Sequence, residues 1–208
     1  MNSLQTIYNK KVIAILRGVD FDALLPVAEA LYEGGLRLLE ITLNSPRALE
    51  GIAQLNAQFG KRPDKMLIGA GTVLDVDAAR AAIDAGAKFI ISPNTDAATI
   101  RQTLASGVLS LPGAYTATEI VTAHRAGGQI IKVFPAADPA YFRNLKAPLD
   151  HIPMMPTGGV NIDNIAAFKA AGAVAFGIGS ALVKAGAHDQ SSLENLIVKS
   201  RQLMAAVS

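Results

Sequence analysis

The chain contains no cysteine and no tryptophan, and only 5% of its 208 residues are aromatic. Without cysteine there is no disulfide framework, no cysteine-ligated zinc or iron–sulfur centre and no thiol nucleophile. Charged side chains are sparse at 17%, and 19 Lys and Arg against 17 Asp and Glu leave a formal net charge of +2. No basic block is long enough to track a phosphate backbone, so no nucleic-acid partner is expected. Long apolar runs are missing as well. Stretches such as Val12–Leu16 are far shorter than the roughly 20 residues needed to span a bilayer. The polar segment Met1–Lys11 has no apolar core of signal-peptide length. With half of the chain hydrophobic and no low-complexity block, the expectation is one cytoplasmic domain over residues 1–208 with no membrane partner.

What is present is a repeated phrase. A small residue and glycine precede a short β-prone run at Gly34-Gly35, Gly86, Gly107, Gly127-Gly128 and Gly172. Gly86, Gly107 and Gly127 are spaced by 21 and 20 residues, and the outer intervals are about twice that. Glycine just past a helix end accepts the left-handed conformation at little cost, so each phrase reads helix, stop, buried strand, loop. The helical halves carry matching start signals: Asp20 before Leu24, Val27, Ala28 and Leu31, Ser45-Pro46 before the next helix, and Asp75 before Val76–Ala85. Helices are also expected at 94–106, 116–126, 161–171 and 191–206.

Eight strands centre on 13–16, 38–42, 67–69, 89–92, 108–111, 130–134, 154–157 and 175–177. They are nearly continuous apolar runs, which suits a parallel sheet covered on both faces. Eight such units predict an α/β fold, a single (β/α)8 TIM barrel. A doubly wound open sheet is the alternative, disfavoured by the even period and by the lack of a glycine-rich turn after the first strand.

In a barrel the active site lies at the carboxyl ends of the strands. Lys132 interrupts the apolar run Ile130–Phe134, and Glu40 interrupts Leu38–Ile41. Strand side chains alternate, so Lys132 shares a face with Ile130 and Phe134, and Glu40 with Leu38 and Thr42. If those faces point inward, the two charged groups meet in the upper interior. Burial there disfavours the ammonium and favours a free amine, while an ionised Glu40 opposes that effect. A free amine is what a Schiff-base nucleophile needs, and a carboxylate beside it can shuttle protons. The bland alternative is a buried ion pair that only holds the barrel together. The other lysines fall in loops or helices, or at the amino end of a strand in the case of Lys88.

The last two loops, Thr157-Gly158-Gly159 and Gly177-Ile178-Gly179-Ser180, lead into a helix and a short helix. Loops in these positions commonly bind phosphate through backbone N–H groups, although tight turns alone also explain such glycines. Arg17 is a further anion candidate or a surface salt bridge. His124, His151 and His188 have no ligand or triad spacing and read as solvated. Met154-Met155 reads as core, and Tyr115 and Tyr141 either line a mouth or cover a helix.

With these residues in place, the chain resembles the 2-keto-3-deoxy-6-phosphogluconate aldolase family and its 6-phosphogalactonate and 4-hydroxy-2-oxoglutarate relatives. The resemblance spans about Val12 to Gly186. It is carried by Ile15-Leu16-Arg17-Gly18, Leu39–Leu43, Gly69–Leu74, Ile91-Ser92-Pro93, Lys132–Ala136, Pro156–Val160 and Gly179-Ser180. It implies a class I aldolase that forms a Schiff base, needs no metal or other cofactor, assembles as a homotrimer and releases pyruvate. The family's lysine falls on Lys132 and its acid/base glutamate on Glu40. Its pocket residues fall on Arg17, Thr72, Pro93, Phe134 and Thr157, and its phosphate loops on Gly158, Gly159, Gly179 and Ser180.

One departure bears on the substrate. Many phosphogluconate members carry Arg-Thr where this chain has Asn44-Ser45, and that arginine binds substrate. Asn44, with Asn94, is similar to the phosphogalactonate branch, whereas Thr157 is similar to the phosphogluconate branch. Arg47 stands three residues on as a replacement charge. The implied substrate is 2-dehydro-3-deoxy-6-phosphogalactonate, with the gluconate epimer or 4-hydroxy-2-oxoglutarate as alternatives. A sugar-phosphate isomerase with Glu40 as base, and a barrel that merely binds a sugar phosphate, are the rivals from other classes.

Overall fold

The computed structural model describes residues 3–136, 138–186 and 188–208. Parallel strands β1 (Val12–Leu16), β2 (Leu38–Thr42), β3 (Leu67–Gly71), β4 (Phe89–Ile91) and β5 (Leu109–Leu111) pair in sequence. A second run pairs β6 (Gly113–Ala114), β7 (Ile131–Val133) and β8 (Met154–Pro156), and β9 (Phe176–Ile178) returns to β1. Parallel contacts between Thr157 and Gly177, and a 3.0 Å bond from Val174 N–H to Met154 O, join β8 to β9. The strands thus close into the expected barrel.

The fifth expected strand, 108–111, is in fact two pieces, β5 and β6. Pro112 lies between them, and with no N–H it cannot continue a ladder. The chain changes partners there: Leu111 is in register with Ile91, while Gly113 is in register with Lys132. One broken strand serves both neighbours, which keeps the count at eight around the barrel.

Helices α2 (Phe21–Glu33), α3 (Ala48–Phe59), α4 (Val76–Asp84), α5 (Ala97–Ala105), α6 (Ala117–Arg125), α7 (Pro139–Lys146), α8 (Ile165–Ala170) and α9 (Gln190–Val207) cover the outside. Several starts are fixed by side-chain caps, including Asp75 on Ala78 N at 2.8 Å and the Thr116–Glu119 capping box. Asp20 occupies the N-cap of α2 but makes no side-chain cap bond. The helix expected from Ser45-Pro46 begins only at Ala48, because Arg47 takes a left-handed conformation with φ 52°. No short helix follows Gly179-Ser180; a single turn forms there, closed by Leu182 and Val183 N–H groups on Gly179 O at 2.8 and 2.9 Å. No helix among the described residues is long and apolar enough to cross a membrane.

The amino end carries an element absent from the sequence expectation, helix α1 (Ser3–Lys10). Ile7, fully buried, packs with Ile13, Leu38, Phe89, Ile130 and Met155 inside the barrel, and Leu4 and Tyr8 lie against the same cluster. This helix plugs the amino-terminal end of the barrel. A second and larger cluster packs the outer faces of the strands against the surrounding helices, so both strand faces are dry, as the continuous apolar runs require. Met154 and Met155 face opposite sides of that division and are both fully buried.

Candidate active site

Strand parity brings the two charged residues to one place. Leu38 on β2 and Ile130 just before β7 belong to the interior cluster, so Glu40 and Lys132, two residues on, face the same interior. They are 1% and 4% exposed. Room for Glu40 comes from Gly71 on β3, where a Cβ would stand 1.6 Å from Glu40 Oε1. Neither carboxylate oxygen has a hydrogen-bond partner. The reading of Glu40 and Lys132 as a bonded structural ion pair therefore does not hold.

Burial pushes the Glu40 pKa up, against the opposing charges of Lys132 and Arg17. It pushes the Lys132 pKa down, and Arg17 adds to that shift while Glu40 opposes it. Both groups are thereby drawn toward their neutral forms. The Lys132 Nζ lies 4.9 Å from the Phe134 ring centroid. The arrangement brings together in one buried interior an amine and a carboxyl group, each drawn toward its neutral form.

Above them a cavity of about 670 Å³ opens at the carboxyl ends of the strands. Its wall includes Arg17, Thr72, Pro93, Lys132, Phe134, Thr157, Gly158, Gly159, Gly179 and Ser180. Asn44 and Glu40 are not on that wall. Asn44 instead accepts a 3.0 Å hydrogen bond from Arg17 Nη1, and Thr72 Oγ1 accepts one of 3.3 Å from Arg17 Nη2. Arg17 is therefore held by side chains, and not by the surface salt bridge considered from sequence. Thr72 sits at φ 57°, a strained conformation for a β-branched residue and one that concentrates at functional sites. Ser45 ties the first two loops together: its Oγ accepts from Gly18 N at 2.9 Å and lies 2.9 Å from Thr42 Oγ1. The Thr157 Oγ1 is buried without a partner.

Other expectations fall away from the cavity. Arg47 is ion-paired with Glu50 at 2.8 Å and stacked on Phe21 at 3.6 Å, so it does not bring a replacement charge to the wall. Tyr115 and Tyr141 stack on each other at 4.9 Å between centroids. His124 and His151 meet edge-on at 6.1 Å, and His188 contacts Lys184 O at 3.1 Å; His124 is only partly solvated, with a buried Nδ1. Among the described residues no cluster of His, Cys, Asp and Glu is arranged to hold a metal ion. Asn161, Ala181, Val183 and Ala185 also line the cavity and were not singled out from the sequence. Their positions just after the Gly158-Gly159 and Gly179-Ser180 turns were the available signal.

Comparison with known proteins follows the same lines. The family described as KDPG and KHG aldolase matches residues 4–198. The 2-dehydro-3-deoxy-6-phosphogalactonate aldolase of Escherichia coli K12 is 39% identical over 178 residues, covering 84% of this chain and 85% of that protein. The 2-dehydro-3-deoxy-phosphogluconate aldolase of Pseudomonas aeruginosa is 41% identical over 162 residues, covering 76% and 70%. Among solved structures, KDPG aldolase from Legionella pneumophila, with pyruvate captured at low pH as a covalent carbinolamine intermediate, has a TM-score of 0.78 at 26% identity and 97% coverage of both chains.

The opposed electrostatics of Lys132 can be read chemically. An ionised Glu40 favours the ammonium, so Glu40→Gln should lower the lysine pKa further. Acetylation of Lys132 by trace acetic anhydride, followed by peptide mass mapping across a pH series, should then reach its plateau at lower pH in the variant than in the wild type. An unmoved midpoint would show that the two groups do not sense each other.

Proposed function

The chain belongs to the KDPG and KHG aldolase family and is thus a carbon–carbon lyase, and from that premise we propose that it cleaves 2-dehydro-3-deoxy-6-phosphogalactonate to pyruvate and glyceraldehyde 3-phosphate through a Schiff base on Lys132. The observation that carries this reading is a lysine on the barrel interior, 4% exposed, with its pKa drawn down by burial beside a carboxyl group that has no bonded partner. The carbinolamine captured in the Legionella pneumophila relative supports it.

The free amine of Lys132 attacks the C2 ketone and forms a carbinolamine. Glu40, through a water, delivers the proton with which the carbinolamine hydroxyl leaves as water, giving an iminium. Glu40 then accepts the C4 hydroxyl proton. The C3–C4 bonding electrons flow into the iminium, leaving an enamine on Lys132 and releasing the aldehyde. Protonation at C3 and addition of water free pyruvate and restore the amine. The iminium is the electron sink, so the chemistry asks for no cofactor. General acid–base assistance of this kind contributes about 10²–10⁴-fold.

Arg17, Thr72, Pro93, Phe134 and Thr157 form the walls for the keto acid, with Asn44 acting through Arg17. Backbone N–H groups of Gly158, Gly159, Gly179 and Ser180, with the Ser180 hydroxyl, surround the phosphate. The protein works as a single domain over 1–208, as a cytoplasmic homotrimer, and its partners are the substrate and pyruvate. Sedimentation at three times the 21.7 kDa chain mass checks the assembly.

Incubation with pyruvate and borohydride should add one reduced pyruvyl group at Lys132, and Lys132→Met should abolish both label and turnover. Absence of label in an active enzyme would favour the isomerase reading, in which Lys132 is only an electrophile. Absence of label and of turnover would favour a ligand-binding barrel. The C4 epimer is tested separately. The wild type should cleave the galactonate-derived phosphate at least as well as the gluconate-derived one, and Asn44→Arg, which crowds Arg17 with a second cation, should shift kcat/KM toward the gluconate epimer. A wild type with strong gluconate preference would transfer the determining role from Asn44 to Thr157.

A further inference from the structure

Asn164 occupies the N-cap of α8, with φ −115° and ψ −9°, yet its side chain makes no capping bond to that helix. An asparagine there ordinarily accepts from the first-turn N–H groups. This one turns both ends of its amide backward. Nδ2 donates to Gly159 O at 2.8 Å, and Oδ1 accepts from Asn161 N at 2.9 Å. One partner is an acceptor and the other a donor, so the amide has a single consistent orientation.

The turn it grips is poorly able to hold itself. Gly158 and Gly159 both take positive φ, 80° and 89°, and glycine loses more conformational freedom on ordering than any other residue. Asn161 adds an inner brace, its Oδ1 accepting from Asp163 N at 2.9 Å and Asn164 N at 3.2 Å. Within the planar trans peptide between Gly159 and Val160, the carbonyl and the N–H point in opposite directions. Asn164 is not on the cavity wall, whereas Gly158, Gly159 and Val160 are. Drawing Gly159 O toward Asn164 turns the Val160 N–H the other way, toward the wall. Among the described residues, the N–H groups of Gly158, Gly159 and Val160 have no protein acceptor. Donors fixed before a ligand arrives contribute more than donors that must be ordered by it.

We propose that Asn164 is a positioning residue for the anion-binding turn: its amide, bonded at once to Gly159 O and Asn161 N–H, holds Gly158–Val160 in the form whose backbone N–H groups receive the substrate phosphate. The inference rests on the phosphate reading of these loops given above. It adds Val160 to the donors and gives a role to a residue outside the cavity.

The test compares KM and kcat for the phosphorylated keto-deoxy acid and for 4-hydroxy-2-oxoglutarate, which has no phosphate, in Asn164→Ser, Asn164→Asp and Ser180→Asp. Serine caps helices as well as asparagine but is too short to reach both partners, so α8 keeps its start while the turn loses its brace. KM for the phosphorylated substrate should rise about tenfold, the scale of one or two net hydrogen bonds. The kcat and both constants for 4-hydroxy-2-oxoglutarate should stay near wild type, and inhibition by inorganic phosphate should weaken in parallel. Asn164→Asp keeps the acceptor and loses the donor, and it should show the same selectivity; it carries the test if the serine variant folds poorly. Equal losses on both substrates, or none on either, would overturn the positioning role. Ser180→Asp separates the two layers: if it too affects both substrates alike, the phosphate reading itself fails, whereas a selective Ser180→Asp beside a non-selective Asn164→Ser overturns this inference alone.

Discussion

An ammonium group carried from water into an apolar interior loses solvation worth several kcal/mol, and Lys132 shares its strand face with Ile130 and Phe134 at the centre of a closed barrel. The surroundings do little to recover that loss as a conventional ion pair would. Glu40 is close enough to influence Lys132 electrostatically, but its oxygens are not bonded to the amine. Burial draws the lysine pKa down and the carboxyl pKa up, each toward its neutral form. Both shifts come chiefly from burial, which the packing of the barrel interior supplies. Gly71 belongs to the same constraint, since any side chain at that position would occupy the space in which Glu40 lies.

The mouth obeys a different rule. There the polar groups are bonded to one another: Arg17 is shared between Asn44 and Thr72, and Ser45 links Gly18 to Thr42. The first loop is also tied to the last, with Asp20 N and Gly186 N each bonded across the gap between them. These bonds join loops that begin at different strands, so the rim behaves as one frame around the cavity. Strain at Thr72 persists because neighbouring elements over-determine that position.

Much of this was legible in the sequence, and the reason lies in periodicity. A charged residue inside an apolar strand stands out, and a period of two then assigns its face, which is how Lys132 and Glu40 could be placed together. Loop residues could be located by their distance from a strand end. What the sequence could not reveal was where a side chain turns once its backbone is placed. Asp20 reads as a cap but makes no side-chain bond to its helix, and the helix expected from Asn161 begins only at Ile165. Arg47 reads as a charge near the site, but Phe21 and Glu50 claim it. Helix α1 escaped notice for another reason. Leu4, Ile7 and Tyr8 carry a helical spacing, but eight residues are too few for the pattern to rise above a polar background, and an isolated helix of that length is not stable alone. Tertiary packing on the barrel interior makes it.

The plug formed by α1 also gives the barrel a direction. With Ile7 packed against the interior layer at the amino end, the cavity lined by Lys132 opens at the carboxyl ends of the strands. On the mechanism proposed above, cleavage leaves one fragment bonded to Lys132 and frees the fragment nearer that opening. The proposed covalent link then sets an order of departure: the free fragment leaves first, and the bonded one waits for water arriving through the same opening.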